Sequence, residues 1–487
     1  MVKKTFIKII MLKKIITFLV ICSFSNANSQ QLISEIKIGI PKKSEAFQFE
    51  DEETKNVFLF LDNKEVISSF KLDENLKVID SIKINKGKNK IESIIGYAKN
   101  QSTYFTYWNS NDKKLFYVLS YDFDKKESNV ATINFDIGKE AVINKVTIQN
   151  KFYIITATKN TNNVNFYCFA DKTFTKKTVE LNGCVFYDDN QGKIPFYDLA
   201  TKSFSALFAG VQNISEDNPA SLTFASYEKK SYSKDNSIIF TFDNNRNYTQ
   251  FLKIDLDSYQ YDYKLFSQPF YAIDPESFEI HMSNSFFVND NLIQLRGNSS
   301  NLTISIKDSN RKEIKNLNVF LDKEIDFKNS DIIQERLSIK NTRTLDKSNQ
   351  LLRKISNSNA AISCYFENDM YYLTLGSSSE VQNNNAMMYG GMFGLTGALI
   401  SLALTSNYTI NNIESYNNRV VVYINCLFDK DFNHVNGEKK QLAFDKLRLF
   451  IAENRLANNI AFKLNDKLIY GGNNSKKKFV FYSFSDN

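Results

Sequence analysis

Histidine is almost missing from this 487-residue chain: there are two, beside one tryptophan, five prolines, sixteen glycines and five cysteines. Each scarcity excludes something. Ser/His/Asp hydrolysis would need His281 or His434, and no G-x-S-x-G elbow accompanies either; "GSSSE" at 376–380 lacks the second glycine. No H-E-x-x-H, Walker loop or G-x-G-x-x-G is present, so the usual sequence signals for a zincin, a P-loop NTPase or a dinucleotide site are lacking. Without a C-x-x-C there is no thioredoxin-type redox pair and no cysteine zinc site. No cofactor and no metal set is expected. With so little Gly and Pro, turns must be made from Asn, Asp, Ser and Lys, and Asn and Asp suit this because they tolerate the left-handed region and bond back to their own backbone.

What is abundant is aromatic: 25 Tyr and 41 Phe, an enrichment that suits pleated, half-buried strands. Charged residues make up 24% and hydrophobic ones 43%, the balance of a globular chain. The formal charge of +7 is concentrated at the start, where Lys3, Lys4, Lys8, Lys13 and Lys14 stand among 29 residues without an acid. Beyond them 56 cations face 54 acids, about +2, and no long basic stripe remains. Nucleic acid is therefore not expected as a partner.

Residues 1–29 read as a signal peptide, with a lysine n-region, an apolar run from Ile15 to Cys22, and Ala27 and Ser29 before Gln30. A lipoprotein signal at "LVIC", with Cys22 lipidated, is the alternative, and the bulky Ile21 argues against it. The chain is expected to be exported: periplasmic, outer-membrane-associated or extracellular. Export permits disulfides among Cys168, Cys184, Cys364 and Cys426. Four cysteines allow three connectivities, of which Cys168–Cys184 and Cys364–Cys426 join neighbouring strand segments; buried free thiols are the alternative.

From residue 33 to about 320 one format repeats: runs of five to nine alternating or apolar residues separated by polar turns. The second strand of each group is expected near 57, 102, 151, 237 and 290, in steps of 45, 49, 86 and 53, with 184–208 as a shortened unit inside the long step. About four strands per 40–50 residues is the period of a β-propeller blade. The final "NNIAFKLNDKLIYGGNNSKKKFVFYSF" supplies three strands, and "ISEIKIGI" after the signal supplies a fourth. The fold expected for residues 30–487 is thus all-β, one propeller of about seven blades (six to eight) whose last blade is closed by the N-terminal strand. Residues 323–356 break the format. Ile333, Leu337, Leu345, Leu352 and Ile355 have helical spacing, with Ser330 or Asp331 as N-cap, so one or two short helices are expected there.

A second break, 377–415, is apolar and glycine-rich. No Lys, Arg, Asp or Glu occurs from Val381 to Ile413. Met387, Met388, Tyr389, Met392, Phe393, Leu395, Leu399, Ile400, Leu402 and Leu404 are its candidate contact residues. Ala386–Thr405 has the length of a membrane helix, yet "MYYLTLG" before it and "NRVVVYINCLFD" after it are partners for one blade. A ring cannot close across a bilayer, so 385–407 is expected to plug or cover the ring, meet another protein, or dip into lipid without spanning it. Left in water, such a patch would aggregate.

Other chemistry is thin. "DKDFNHVNGE" begins like a calcium loop at Asp429, Asp431 and Asn433, but His434 stands where the turn glycine belongs and Lys440 where the bidentate acid belongs. "YDDNQGK" at Asp188 is a similar lure; both read as hairpin tips. Trp108 suits blade packing, or else a sugar-binding face. Paired carboxylates for glycoside cleavage would have to come from distant blades.

In organisation, the ending "SNANSQQ", the blade-format runs from 57 to 320 and the closing "FKLNDKLIYGGNNSKKKFVFYSF" make the chain resemble the uncharacterised secreted β-propeller-like proteins of Bacteroidetes-type bacteria. That resemblance implies no reaction. The function expected is a non-catalytic binding or scaffold propeller for a protein or glycan. The alternatives are an outer-membrane-associated component docking through the apolar insertion, and a glycan-active enzyme.

Overall fold

The computed structural model describes residues 30–37, 45–63, 65–110, 115–202, 210–269, 282–381 and 408–486. The expected signal segment 1–29 lies outside them, as does His281.

Among the described residues seven sheets of four or five strands follow one another. Blade 1 spans 45–85, blade 2 91–134, blade 3 140–180, blade 4 212–267, blade 5 282–320 and blade 6 332–429; blade 7 combines 457–484 with 30–36. The chain is a β-propeller of seven blades. Second strands begin at Val57, Thr103, Lys151, Ser237 and Asn291, within a residue of the spacing expected. They sit between neighbouring blades and are buried on both faces: all six residues of Val57–Asp62 and of Ser237–Phe242 are inside. Fourth strands face water. In Glu313–Phe320 only Val319 is buried.

Closure is as the termini imply. Gln30–Ile36 runs antiparallel to Phe479–Phe484, from Gln30 opposite Phe484 to Ile36 opposite Phe479. A strand from each end of the chain thereby locks the ring. The cores are the seams: one cluster joins blades 7 and 1, others join 1 to 2, 2 to 3 and 3 to 4, and the largest spans blades 4, 5 and 6. Between blades 6 and 7 stands the helix Ala443–Glu453, whose Arg448 pairs with Glu335 of blade 6 at 2.7 Å, both nearly buried.

The turns show how a glycine-poor chain bends. The hairpins from first to second strand in blades 3 to 6 are the pairs Gln149–Asn150, Asp235–Asn236, Asn289–Asp290 and Asn368–Asp369, both members at positive φ. That is the geometry whose twist matches the flanking strands. Wider hairpins use one device repeatedly. Asp73 Oδ1 accepts from the amides of Asn75 and Lys77, Asp308 Oδ1 from Asn310 and Lys312, and Asp429 Oδ1 from Asp431 and Asn433. The residue before the last amide takes positive φ each time: Leu76, Arg311 and Phe432.

Two expectations are corrected. Ile332–Arg336 and Ser338–Leu345 are strands, outermost in blade 6, because Ile332 and Ile333 pair across to the second of them and Ile333–Arg336 to Arg419–Asp429. Ser330 caps no helix; its Oγ accepts from the Asn425 amide. Of the 323–356 segment only Ser348–Ser356 is helical, burying Leu351, Leu352 and Ile355. Nor is 184–208 a blade: its described part is a two-stranded hairpin, Phe186–Tyr187 with Lys193–Ile194, and a short helix, Phe196–Thr201. The long step of 86 is one blade plus an insertion.

Candidate functional site at the channel mouth

The inner-strand hairpins of the blades collect on one face of the ring, and a cavity of about 590 Å³ opens there. Its walls come from five blades. Blade 1 supplies Gln48, Phe49, Glu50, Glu52 and Lys55, blade 2 Tyr97, and blade 3 Val146 to Gln149. Blade 4 supplies Asn213 to Asp217 and Ser233 to Asn236, and blade 7 Ala461 to Lys463. Tyr408 and Thr409 complete the wall.

Those last two begin the helix Tyr408–Glu414, the described continuation of the apolar insertion. Beside it lies the segment 215–226, whose helix Leu222–Ala225 is capped by Ser221 Oγ accepting from the Phe224 amide. A buried polar network joins the two. Asn412 Oδ1 accepts from the Ser221 amide at 2.7 Å, while its Nδ2 donates to Asn218 Oδ1 and the Pro219 carbonyl at 2.8 and 2.7 Å. Asn218 donates in turn to Thr409 Oγ1, and Thr223 meets both Ser378 Oγ and the Ser415 carbonyl. Ser363, on the inner strand of blade 6, donates to the Ala220 carbonyl. A fully paired polar cluster fixes one arrangement, since any shift leaves buried groups without partners. Below the cavity the ring is thus packed with polar chain. Sequence reading passed over Asn218 and Asn412, because nothing in "EDNPAS" or "YTINNIE" tells a buried asparagine from a turn.

The mouth is acidic. Lys55 pairs with Glu50 at 3.2 Å, Lys234 with Asp290 at 2.9 Å and Lys463 with Glu367 at 3.4 Å. Glu52, Glu216, Asp217 and Asp235 have no cation at ion-pair distance among the described residues, and all four are exposed. Although the Glu216 side chain reaches solvent, partial desolvation by the surrounding wall raises its pKa, with Asp235 and Asp217 adding to the effect and Lys234 opposing it. Burial likewise raises the Tyr97 phenol, and Glu52, Asp217, Glu50 and Asp51 push the same way. The Tyr97 ring stacks on Phe49 at 4.1 Å, 5° from parallel.

The other candidates fall elsewhere. Met387, Met388, Tyr389, Met392, Phe393, Leu395, Leu399, Ile400, Leu402 and Leu404 lie outside the described residues. All four described cysteines are free. Cys364 and Cys426 both stand opposite Leu373 from the two strands flanking it, two strand spacings apart (about 9–10 Å), beyond the reach of a disulfide. That expected pairing is excluded. Cys168 and Cys184 are likewise unpaired; burial raises both thiols, with bonds to Tyr153 and Tyr261 opposing. His434 shares a 3.0 Å bond with Asn329 and bridges Phe428, a satisfied hairpin residue. Asp429 and Asp188 spend their carboxylates on their own turn amides. Trp108 is 1% exposed, edge-on to Phe47 across the blade 1–2 seam, with Nε1 donating to Thr106. It lines no sugar-binding face. Among the described residues no cluster of His, Cys, Asp or Glu is placed to hold a metal, and no helix is long and apolar enough to cross a membrane.

No family model and no curated protein matches the chain. Among solved structures, a member of the DUF4221 family from Bacteroides vulgatus aligns at 12% identity and a TM-score of 0.30, over 94% of this chain and 98% of that one. The WD40 domain of SCAP from fission yeast aligns at 9% and 0.32, over 92% and 85%. The first comes from a bacterium of the group named by the sequence resemblance. The ring is established by its strand pairing, and these likenesses add no residue or reaction to it.

Proposed function

We propose that this chain is an exported, non-catalytic binding or scaffold propeller that recognises a protein or glycan at the inner-hairpin face of the ring. One observation carries the reading: a roomy cavity walled by five blades, with packed, polar-bonded chain beneath it. A recess with a rigid floor presents side chains in fixed positions, which lowers the ordering cost of binding. Residues 1–29 support export by their pattern. The test compares residues 30–487 with a Thr147→Trp variant, which fills the mouth, in cross-linked capture from the host envelope and on a glycan array. A species bound by the first and lost from the second supports the reading; identical profiles contradict it.

A second reading rests on the window 381–413, which contains no Lys, Arg, Asp or Glu. In it the protein docks on the outer membrane through 385–407. Detergent-dependent solubility that disappears on deleting 385–407 supports this; full solubility of the intact chain contradicts it.

A further inference from the structure

We infer that the ring has one seam built to part: the junction between blade 6 and the helix Ala443–Glu453, which moves with blade 7. This goes beyond the binding reading and does not depend on it. Six of the seven seams are filled by apolar clusters shared between neighbouring blades. Among the described residues no such cluster joins the strands of blade 6 to those of blade 7. Phe444, Leu447 and Phe450 of the helix pack instead with Tyr470 and Phe484 of blade 7. Lys446 Nζ donates to the Ser485 carbonyl at 2.7 Å, and the Ala443 amide donates to Asp486. The helix is thus part of blade 7, and its other side meets blade 6.

Charge carries the contact across this seam. Arg448 pairs with Glu335 at 2.7 Å, and its guanidinium lies 3.6 Å from the centre of the Tyr416 ring. Lys340 pairs with Glu453 at 3.4 Å at the exposed outer edge, and Lys463 reaches Glu367 and the Tyr365 hydroxyl at 3.4 Å. Exposed pairs of this kind contribute little. Packed units that meet through polar interfaces move relative to one another, where large apolar interfaces hold them still. A second observation favours opening. Glu335 is 1% exposed, yet its Oε2 has no hydrogen-bond partner among the described residues. A buried carboxylate oxygen left unpaired carries a desolvation cost that access to water removes. Toward the channel, Ile410 and Ile413 reach the apolar cluster of the helix, so the inner edge is the hinge and the outer edge parts. A ring that opens at one seam changes its width without unfolding a blade.

The test measures distances between spin labels by pulsed electron resonance in residues 30–487 carrying Cys168→Ser and Cys184→Ser; Cys364 and Cys426 are buried and stay unlabelled. Thr342→Cys with Ala452→Cys spans the seam between blades 6 and 7, and Thr132→Cys with Thr178→Cys spans that between blades 2 and 3, all four sites being exposed. As urea is raised, the first pair should gain a longer distance while the second pair and the circular dichroism are still native. Both pairs lengthening together with the loss of circular dichroism overturns the inference. Arg448→Met leaves Glu335 uncompensated in the closed seam and should raise the open population about tenfold or more. Glu335→Gln/Arg448→Met removes the stranded charge and should return that population toward the wild-type value. An equal change at the blade 2–3 pair in Arg448→Met, or no change at the blade 6–7 pair, overturns the inference too. If Arg448→Met does not fold, the urea series on the unsubstituted seam decides alone.

Discussion

Blades 1 to 3 occupy 45–180 with nothing longer than a turn between them, whereas blades 4 to 6 spread over 212–429. The second arc carries an added parallel strand (Gln212–Ile214), three short helices and the apolar insertion. Their seams differ too. In the regular arc aromatic rings dominate: Phe47 meets Trp108, Phe49 stacks on Tyr97, and Tyr107 packs on Phe152 and Phe169. In the irregular arc polar groups go fully inside. Lys230 and Asp243 pair at 3.2 Å with neither side chain exposed, and Asp243 also accepts from the Ser285 amide and hydroxyl and from Thr249. Apolar seams need area and tolerate adjustment, while buried polar seams demand particular partners. The arc with the demanding seams also supplies the strap and the helix that floor the channel mouth.

If this contrast is right, the largest effect comes from Asp243→Ala. It strands Lys230 and the Ser285 amide in the core, and chemical denaturation should show a loss of about 3–5 kcal/mol. A loss below 1 kcal/mol would mean the pair is not buried. In the regular arc the matching strain is steric. A Cβ at Gly96 would lie 2.1 Å from the Phe152 ring, so Gly96→Ala should cost about 1–3 kcal/mol, the range of an overpacked core. No measurable change would show that the seam between blades 2 and 3 is looser than described.

The regular arc also holds a carboxyl that titrates well above its ordinary range. Burial pushes the Asp62 carboxyl up to about 6, against the opposing pull of Lys86 at 2.6 Å. Its folded pKa exceeds its unfolded value near 3.8, so the folded state holds the proton more tightly and stability falls as pH rises from about 4 through 6. Asp62→Asn removes that dependence. Measured by denaturation at pH 4.5 and 7, the variant should gain on the wild type by about 1–3 kcal/mol across the interval. A difference independent of pH would contradict it. Smallest is the turn test. Asn150 sits at φ 61°, so Asn150→Ala should cost about 1 kcal/mol and Asn150→Gly close to nothing. Equal losses in both would assign the cost to a side-chain contact instead.

The same contrast governs how much was legible in the sequence. Blades 1 to 3 follow from period and alternation, since Val57, Thr103 and Lys151 begin strands where the spacing placed them. Closure followed from three strands at one end and one at the other. The irregular arc resisted for physical reasons. "DIIQERLSIKN" has apolar residues at helical intervals, yet edge pairing with Arg419–Asp429 overrides that spacing. The hairpin and helix of 186–201 imitated a blade because short apolar runs between turns look alike before they pair. The mouth was not readable at all: Glu52, Glu216, Asp217 and Asp235 are unremarkable surface acids until the ring brings them together.

Hydrogen–deuterium exchange on residues 30–487, resolved to peptides, tests the central claim most directly. The claim is that the strap 215–226 and the helix Tyr408–Glu414 fill the ring below the mouth. The account predicts amides of Leu222–Ala225 and Ile410–Glu414 that exchange as slowly as the second strand Ser237–Phe242, and that accelerate together in Asn412→Ala. Exchange of both segments at the rate of exposed turns in the wild-type chain would contradict it.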